Sequence, residues 1–173
     1  MQTANIFEQL GMTFIDYPDP INHALIVYFL GCEHTCSDCH NPSFKNKFFD
    51  KGKMITADLL FKLLKEEGFR QHTKQVVFSG GDPLFQNNRD IVRSFLNKYG
   101  NIFDVCIYTG YTMPQVKQME LSNFKYLKCG IYNKDLHVAP MKTDSYIQLA
   151  SSNQEFYNSN FSLLSHNGKM YFK

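Results

Sequence analysis

Apolar residues along the first two thirds of the chain alternate between short continuous runs and helical stripes. The run from Ala24 to Leu30 is rich in β-formers and predicts a strand buried on both faces of a parallel sheet. Thr56 is placed to cap a helix with leucines at helical spacing, and that helix is predicted to end near Gly68. Residues Lys74 to Phe78 then form the next predicted strand.

The same alternation continues beyond this strand. The pattern predicts a helix with an apolar face ended by Gly100, a strand over Asp104–Tyr108, a short helix around Pro114–Met119 and a strand near Lys125–Lys128. Such alternation implies right-handed βαβ units, whereas a closed eight-unit barrel needs about 250 residues. The predicted fold is therefore α/β, an open, partial (β/α) barrel with a mainly parallel sheet, in a single domain spanning residues 1–173.

The last forty residues are less regular. Tyr146 to Leu149 is a candidate strand, and Asn167-Gly168 resembles a tight hairpin turn between Phe161–Leu164 and Met170–Phe172. Eighteen Lys and Arg against sixteen Asp and Glu leave a formal charge of +2, without the basic excess of a nucleic-acid binder. No apolar run is long enough to span a bilayer and the first residues lack the pattern of a signal peptide, so a cytoplasmic protein is expected.

The cysteines carry the first chemical signal. The chain has five, and three of them, Cys32, Cys36 and Cys39, lie within eight residues on the loop after the first predicted buried strand. Crowded cysteines in a reducing compartment indicate a metal or redox site rather than a disulfide framework. A four-iron cluster held by three thiolates keeps one iron open for an exogenous ligand.

The C-x3-C-x2-C spacing after a first strand resembles the signature of the radical S-adenosylmethionine superfamily. This resemblance implies a [4Fe-4S] cluster bound by Cys32, Cys36 and Cys39, whose open iron chelates the amino and carboxylate groups of S-adenosylmethionine. It also implies that the reduced cluster cleaves this cofactor to a 5′-deoxyadenosyl radical, which takes a hydrogen atom from the substrate. The radical chemistry then belongs to the cofactor, and no catalytic acid or base is expected.

A second motif, Phe78-Ser79-Gly80-Gly81-Asp82-Pro83-Leu84, ends the next predicted strand. Two glycines let a backbone approach a ligand closely. The segment resembles the glycine-rich motif of the same superfamily, which implies that Ser79, Gly80, Gly81 and Asp82 bind S-adenosylmethionine, with Asp82 on its amino group.

Three segments resemble a narrower family, the activating subunits of anaerobic ribonucleoside-triphosphate reductase. These segments are SGGDPL, the Thr-Gly-Tyr element at residues 109–111 and the Ser-Ser-Asn-Gln element at residues 151–154. The resemblance implies a glycyl-radical activase whose partner is the large glycyl-radical subunit, with a reducing electron donor such as flavodoxin and cofactor contacts from Ser152 and Asn153. Cys39-His40-Asn41-Pro42 resembles the pyruvate formate-lyase activating enzyme equally well, and Cys129-Gly130 departs from the family's Asp-Gly.

Several alternatives stay open from the sequence. The three cysteines with His34 or His40 could form a structural zinc site of an interaction module, and the chemistry could serve a small-molecule enzyme such as a 7-carboxy-7-deazaguanine synthase. Either histidine could instead tune the cluster or lie solvated in the loop. Ser152 and Asn153 could cap a helix.

Two further groups of residues have weaker assignments. Cys106 and Cys129 are expected to be buried small hydrophobic residues rather than ligands. A candidate docking face for the partner consists of Phe44, Phe48 and Phe49, alternating with Lys45, Lys47 and Lys51.

Overall fold

The structure is a computed structural model that describes residues 2–18, 23–36, 38–139 and 146–171. Its helices are α1 (Ala57–Arg70), α2 (Gln86–Tyr99) and α3 (Met113–Lys117). Its strands are β1 (Ala4–Phe7), β2 (Gly11–Thr13), β3 (Ala24–Phe29), β4 (Gly52–Ile55), β5 (Gln75–Gly80), β6 (Asp104–Tyr108), β7 (Tyr126–Cys129), β8 (Tyr146–Gln148), β9 (Glu155–Asn158), β10 (Ser165–His166) and β11 (Lys169–Tyr171).

The centre of the main sheet consists of four parallel strands in the order β3-β5-β6-β7. Leu25 pairs with Val76, and Val76 pairs with Val105, so the carboxyl ends of these strands meet at one edge. Antiparallel strands flank the centre, with β1 and β4 on one side and β9 on the other, and β2 also pairs with β3. The predicted α/β fold with a parallel centre and no closed barrel is confirmed, and the antiparallel flanks were not predicted.

The two faces of the central strands are buried in different cores. Leu25, Val76, Phe78 and Val105 belong to the larger core, which includes apolar residues of α1 and α2. Alternate residues on the opposite face, among them Ile26 in β3, form a smaller core with side chains of the C-terminal segment. Burial on both faces explains why these strands read as continuous apolar runs.

One predicted boundary is confirmed and another is wrong. The first helix ends at Arg70, near Gly68 as predicted, and Gly68 itself is a buried packing position where a Cβ atom would lie 2.7 Å from the Thr73 carbonyl oxygen. The predicted turn at Asn167-Gly168 is confirmed, with φ angles of 49° and 72°, but the strand before it is Ser165–His166 rather than Phe161–Leu164. Phe172, the predicted end of the hairpin, lies outside the described residues.

Thr56 caps α1 as expected, since its Oγ1 accepts a hydrogen bond of 3.2 Å from the Leu59 amide. None of the helices in the described ranges is long and apolar enough to cross a membrane.

Candidate functional site

The cysteine loop leaves the carboxyl end of β3 and is held by backbone hydrogen bonds to the segment that follows it. The Gly31 amide donates to the Phe44 carbonyl at 2.8 Å, and the Cys32 amide donates to the Lys45 carbonyl at 3.2 Å. Cys32, Cys36 and Cys39 are free thiols with partly exposed side chains. The loop therefore presents three accessible sulfur ligands at the edge of the sheet where parallel strands usually place ligand sites.

The three thiols of this loop suit an iron–sulfur cluster, because each of three thiolates can bind a different iron and leave the fourth iron open. Within the described ranges, no group of three or more His, Cys, Asp or Glu side chains has the arrangement of a ready-made site for one metal ion. Burial, followed by the charges of Asp82 and Cys36, raises the pKa of the Cys32 thiol to about 11. Iron binding must therefore displace a proton from Cys32 at neutral pH.

The glycine-rich turn after β5 lies directly against the start of the cysteine loop. Gly80 has a φ angle of +113°, and a Cβ atom there would collide with the backbone of Phe29. The Gly81 amide donates to the Phe29 carbonyl at 2.7 Å, and the Asp82 amide donates to the Gly31 carbonyl at 2.9 Å. These two amides are thus used within the protein, and the glycines allow the turn to approach β3.

The carboxylate of Asp82 lies at the centre of this region and is only 1% exposed. Its oxygens accept hydrogen bonds from the Leu84 amide at 2.7 Å, the Gly110 amide at 2.8 Å and the Thr109 hydroxyl at 2.9 Å. The Nε2 atom of His34 lies 2.8 Å from Oδ2. A ligand's amino group would reach this carboxylate only if one of the four donors left it.

The Thr-Gly-Tyr element after β6 contacts the cysteine loop through side chains. The Tyr111 hydroxyl donates to the Glu33 carboxylate, and the Tyr111 ring lies edge-on to the His34 ring with centroids 4.7 Å apart. Arg89 lies over the same tyrosine ring, 5.6 Å from its centroid. Residues of three motifs that are far apart in the sequence therefore meet at the carboxyl ends of β3, β5 and β6.

Lys128 adds a positive charge to this end of the sheet. It lies near the end of β7, donates to the Gly130 carbonyl at 3.1 Å and lies 5.9 Å from the centroid of the Tyr108 ring. Burial lowers its pKa to about 8, against the opposing influence of Asp82, Cys129 and Cys36. The ammonium group thus remains mainly charged at neutral pH, close to the cysteine loop.

The Ser-Ser-Asn-Gln element supports the chain just after β7. The Gln154 amide donates to the Gly130 carbonyl at 3.1 Å, and the exposed Asn153 amide donates to the Ile131 carbonyl at 3.0 Å. Ser152 is also exposed, and a strand rather than a helix follows, so the alternative of a helix N-cap is wrong. Ser79, by contrast, is partly buried near the end of β5 and pairs with Tyr28 of β3.

The candidate docking face is exposed only in part. The Phe44 ring centroid lies 5.3 Å from that of Phe7 and 6.0 Å from that of Phe49. Phe44 and Phe49 therefore pack into an aromatic cluster. Phe48 is 76% exposed, with the Lys47 ammonium 5.0 Å from its ring centroid. Phe48 and the flanking lysines form the remaining face, which we call the Phe48 face (Lys45, Lys47, Phe48 and Lys51).

Cys106 and Cys129 are buried, as predicted, at 0% and 1% exposure. Burial raises the pKa of the Cys106 thiol well above its ordinary value and that of Cys129 to about 12. Both thiols are enclosed in the core, whereas the three loop cysteines are partly exposed, so an iron that binds at the loop does not reach them.

Four polar residues of the site were not predicted as such. His34 was expected to contact sulfur or solvent, but it binds Asp82, and Thr109 was known only as part of a motif. Asn88 joins the two loops, since its side chain donates to the carbonyls of Leu30 and Asp82 at 3.0 and 2.9 Å. Only Lys128 carried a local signal, as a charged residue inside an apolar strand.

Comparison with known proteins agrees with this geometry. Residues 23–155 match the model of a family described as a 4Fe-4S single cluster domain. The anaerobic ribonucleoside-triphosphate reductase-activating protein of Enterobacteria phage T4 is 28% identical over 118 residues, which cover 65% of this chain and 72% of that protein. The pyruvate formate-lyase-activating enzyme of Clostridium pasteurianum is 31% identical over 116 residues, 58% of this chain, and the match spans about half of that enzyme, 48%.

The crystal structure of QueE from Escherichia coli superimposes with a TM-score of 0.45 at 20% identity, covering 64% of this chain and 54% of that chain. The family match extends over more than three quarters of the sequence and includes the cysteine loop, the glycine-rich turn and the Thr-Gly-Tyr element. The chain therefore belongs to the family described as a 4Fe-4S single cluster domain. It is a radical S-adenosylmethionine enzyme, and its cofactors are the [4Fe-4S] cluster and S-adenosylmethionine.

Proposed function

We propose that this protein is a glycyl-radical activase that acts on the large subunit of an anaerobic ribonucleoside-triphosphate reductase. The observation that carries the proposal is the similarity to the phage T4 activating protein, which covers 72% of that protein. The convergence of the cysteine loop, the glycine-rich turn and the Thr-Gly-Tyr element around Asp82 supports it, because these are the segments that resemble the activase family.

In this proposal Cys32, Cys36 and Cys39 hold the cluster. The cluster, when bound, supplies the electron that cleaves S-adenosylmethionine and so generates the species that takes hydrogen from the partner's glycine. The turn of Ser79, Gly80 and Gly81 lies beside the loop, and the proposal assigns it to the cofactor's methionine end. The chain's own residues bind and orient the cofactor and exclude water from it, because a reactive radical attacks whatever lies nearest.

The remaining residues have supporting roles in the proposal. Ser152 and Asn153 lie near the end of β7, where they can border the cofactor at the open side of the site. The Phe48 face receives the large subunit of the reductase, and an electron donor such as flavodoxin is the second partner in the reducing cytoplasm. The proposal is supported by the position of Lys45, whose carbonyl accepts a hydrogen bond of 3.2 Å from the Cys32 amide, next to the proposed cluster loop.

The proposal is tested by incubating the reduced protein and S-adenosylmethionine with a candidate reductase and recording electron paramagnetic resonance spectra. A glycyl-radical signal is expected, and a reductase whose target glycine is replaced by alanine should give none. Formation of 5′-deoxyadenosine without any glycyl radical on the reductase would contradict the proposal while leaving the radical chemistry intact.

The docking part of the proposal has its own test. Phe48→Asp should lower the yield of glycyl radical but leave 5′-deoxyadenosine formation with a chemical reductant unchanged. Phe69→Asp is the matched control, because Phe69 is 82% exposed on α1 and is not part of the Phe48 face. Equal radical yields from both variants would remove the Phe48 face from the docking model.

A further inference from the structure

His34 is the residue of the cysteine loop that reaches the buried Asp82 carboxylate. It lies between Cys32 and Cys36, and its side chain is only 13% exposed. The Oδ2 atom of Asp82 already accepts hydrogen bonds from the Thr109 hydroxyl and the Gly110 amide, so we assign the Nε2 atom of His34, at 2.8 Å, as a further donor. This assignment makes one ring nitrogen a donor and fixes the direction in which the ring points.

Packing around His34 reinforces this orientation. A Cβ atom on Gly110 would collide with the imidazole ring, so glycine at that position makes room for the histidine. The Tyr111 ring closes another side at 4.7 Å, and its hydroxyl donates to Glu33, the preceding residue of the loop. The loop between Cys32 and Cys36 is thus tied to the turn after β6 by two consecutive side chains.

We propose that His34 is a positioning residue, which holds the Cys32–Cys36 segment in its cluster-binding conformation before the cluster is present, with Asp82 as its internal anchor. This inference rests on the proposed ligation by Cys32, Cys36 and Cys39. It also assigns Asp82 a role through its hydrogen bonds rather than through direct contact with S-adenosylmethionine. A loop ordered in advance binds its ligand with a smaller loss of conformational entropy.

The anchor is suited to this role because its other donors come from the framework. The amides of Leu84 and Gly110 and the hydroxyl of Thr109 belong to the turns that follow β5 and β6, so they hold the carboxylate in place whether or not the cysteine loop is docked. His34 is the single donor of the four that comes from the cysteine loop. Its removal should therefore release the loop while leaving most of the anchor's hydrogen bonds intact.

The first test measures hydrogen exchange of the Gly110 amide in the full-length protein without its cluster. His34→Ala should speed this exchange roughly tenfold, as expected when a bond worth about 1.4 kcal/mol is lost beside it. His40→Ala is the matched control, since His40 is an exposed histidine next to Cys39 on the same loop. His34→Gln should restore slow exchange, because its side-chain amide can donate to the same oxygen.

The second test concerns the cluster and the cofactor. His34→Ala, but not His40→Ala, should lower the iron content after reconstitution and change the electron paramagnetic resonance signal of the reduced cluster. Equilibrium binding of S-adenosylmethionine should weaken by roughly threefold or more in His34→Ala. If Asp82 instead bound the cofactor's amino group directly, removing its competitor would strengthen binding.

Stronger cofactor binding in His34→Ala would overturn the inference, as would exchange, iron content and spectrum equal to those of the wild type. Faster exchange with an unchanged cluster would also overturn it, since His34 would then stabilise the fold without positioning the ligands. None of these measurements involves a reductase. Failure of the proposed glycyl-radical function would therefore be recognised separately, by an intact cluster site that activates no partner.

Discussion

The carboxyl ends of the parallel strands and the C-terminal segment use polar side chains differently. At the strand ends, donors from positions 34, 84, 109 and 110 converge on the carboxylate of Asp82, which is 1% exposed. In the Ser-Ser-Asn-Gln element, the exposed Asn153 and the buried Gln154 instead bond separately to the backbone after β7, at the carbonyls of Ile131 and Gly130. The difference indicates that the geometry needed for chemistry is built into the parallel centre, while the C-terminal segment supports and covers it.

The largest expected effect separates the loop cysteines from the buried ones. Replacing Cys32, Cys36 or Cys39 by alanine should abolish 5′-deoxyadenosine formation under a strong reductant, because an incomplete thiolate set no longer holds the cluster. Cys106→Ala should retain it, since Cys106 is a fully buried core residue. Product analysis by chromatography gives the answer, and activity lost in Cys106→Ala but kept in Cys36→Ala would refute the ligand assignment.

The next effect concerns the stability of the strand ends. Asp82→Asn should lower the free energy of unfolding of the cluster-free protein by about 3 kcal/mol, because it removes acceptor capacity from a buried network. Denaturant titration measures this loss. Asp58→Asn is the control: Asp58 also accepts from two side chains, Lys98 and Tyr99, but on the surface, and a much smaller change is expected. Similar losses in the two variants would remove the contrast between buried and exposed networks.

The main elements of the fold could be predicted from sequence, but the contacts around Asp82 could not. Hydrophobic periodicity predicted β3, β5, β6, α1 and α2, because each has at least five residues and is buried on a defined face. The four-residue β7 was predicted from its place in the alternation of strands and helices. The sequence showed the residues around Asp82 only as separate motifs, because His34 and Thr109 lie 48 and 27 positions away from it. Such contacts depend on the three-dimensional arrangement and leave no local periodicity.

Several strands were not predicted, for a different reason. Three of them, β1, β2 and β4, have only three or four residues with partly or fully exposed positions among them, so their pattern is too short to recognise. Two of them pair with the edge of β3, β1 through Ile6 opposite Phe29 and β2 through Gly11 opposite Ile26, and β4 pairs in turn with β1. Tertiary pairing, rather than local preference, places them in the sheet.

A smaller effect should be visible in the pH dependence of stability. Burial lowers the pKa of Lys128 in the folded protein to about 8, below its ordinary value of 10.5. The unfolded chain therefore binds more protons between these values, and the contribution of Lys128 to stability rises with pH across this range. Lys128→Met removes the cost of burying this ammonium group, so the variant should have a higher free energy of unfolding than the wild type. This difference should shrink from pH 8 to pH 10. A difference that stays constant or grows over this range would contradict the lowered pKa of Lys128.

The smallest effect is expected in the C-terminal segment. Asn153→Ala removes one exposed hydrogen bond to the Ile131 carbonyl and should change the free energy of unfolding by less than about 0.5 kcal/mol. Gln154→Ala, at a buried residue bonded to the Gly130 carbonyl and the Ser151 amide, should cost more. A large loss in Asn153→Ala would show that this segment is as tightly coupled as the strand ends.

Mössbauer spectroscopy of the protein reconstituted with iron-57 tests the central claim most directly. Three thiolates on four irons predict that S-adenosylmethionine alters the signal of one iron and leaves the other three unchanged. Signals of four equivalent irons that do not change when S-adenosylmethionine is added would contradict the account. A protein that takes up zinc in place of iron and sulfide would also contradict it.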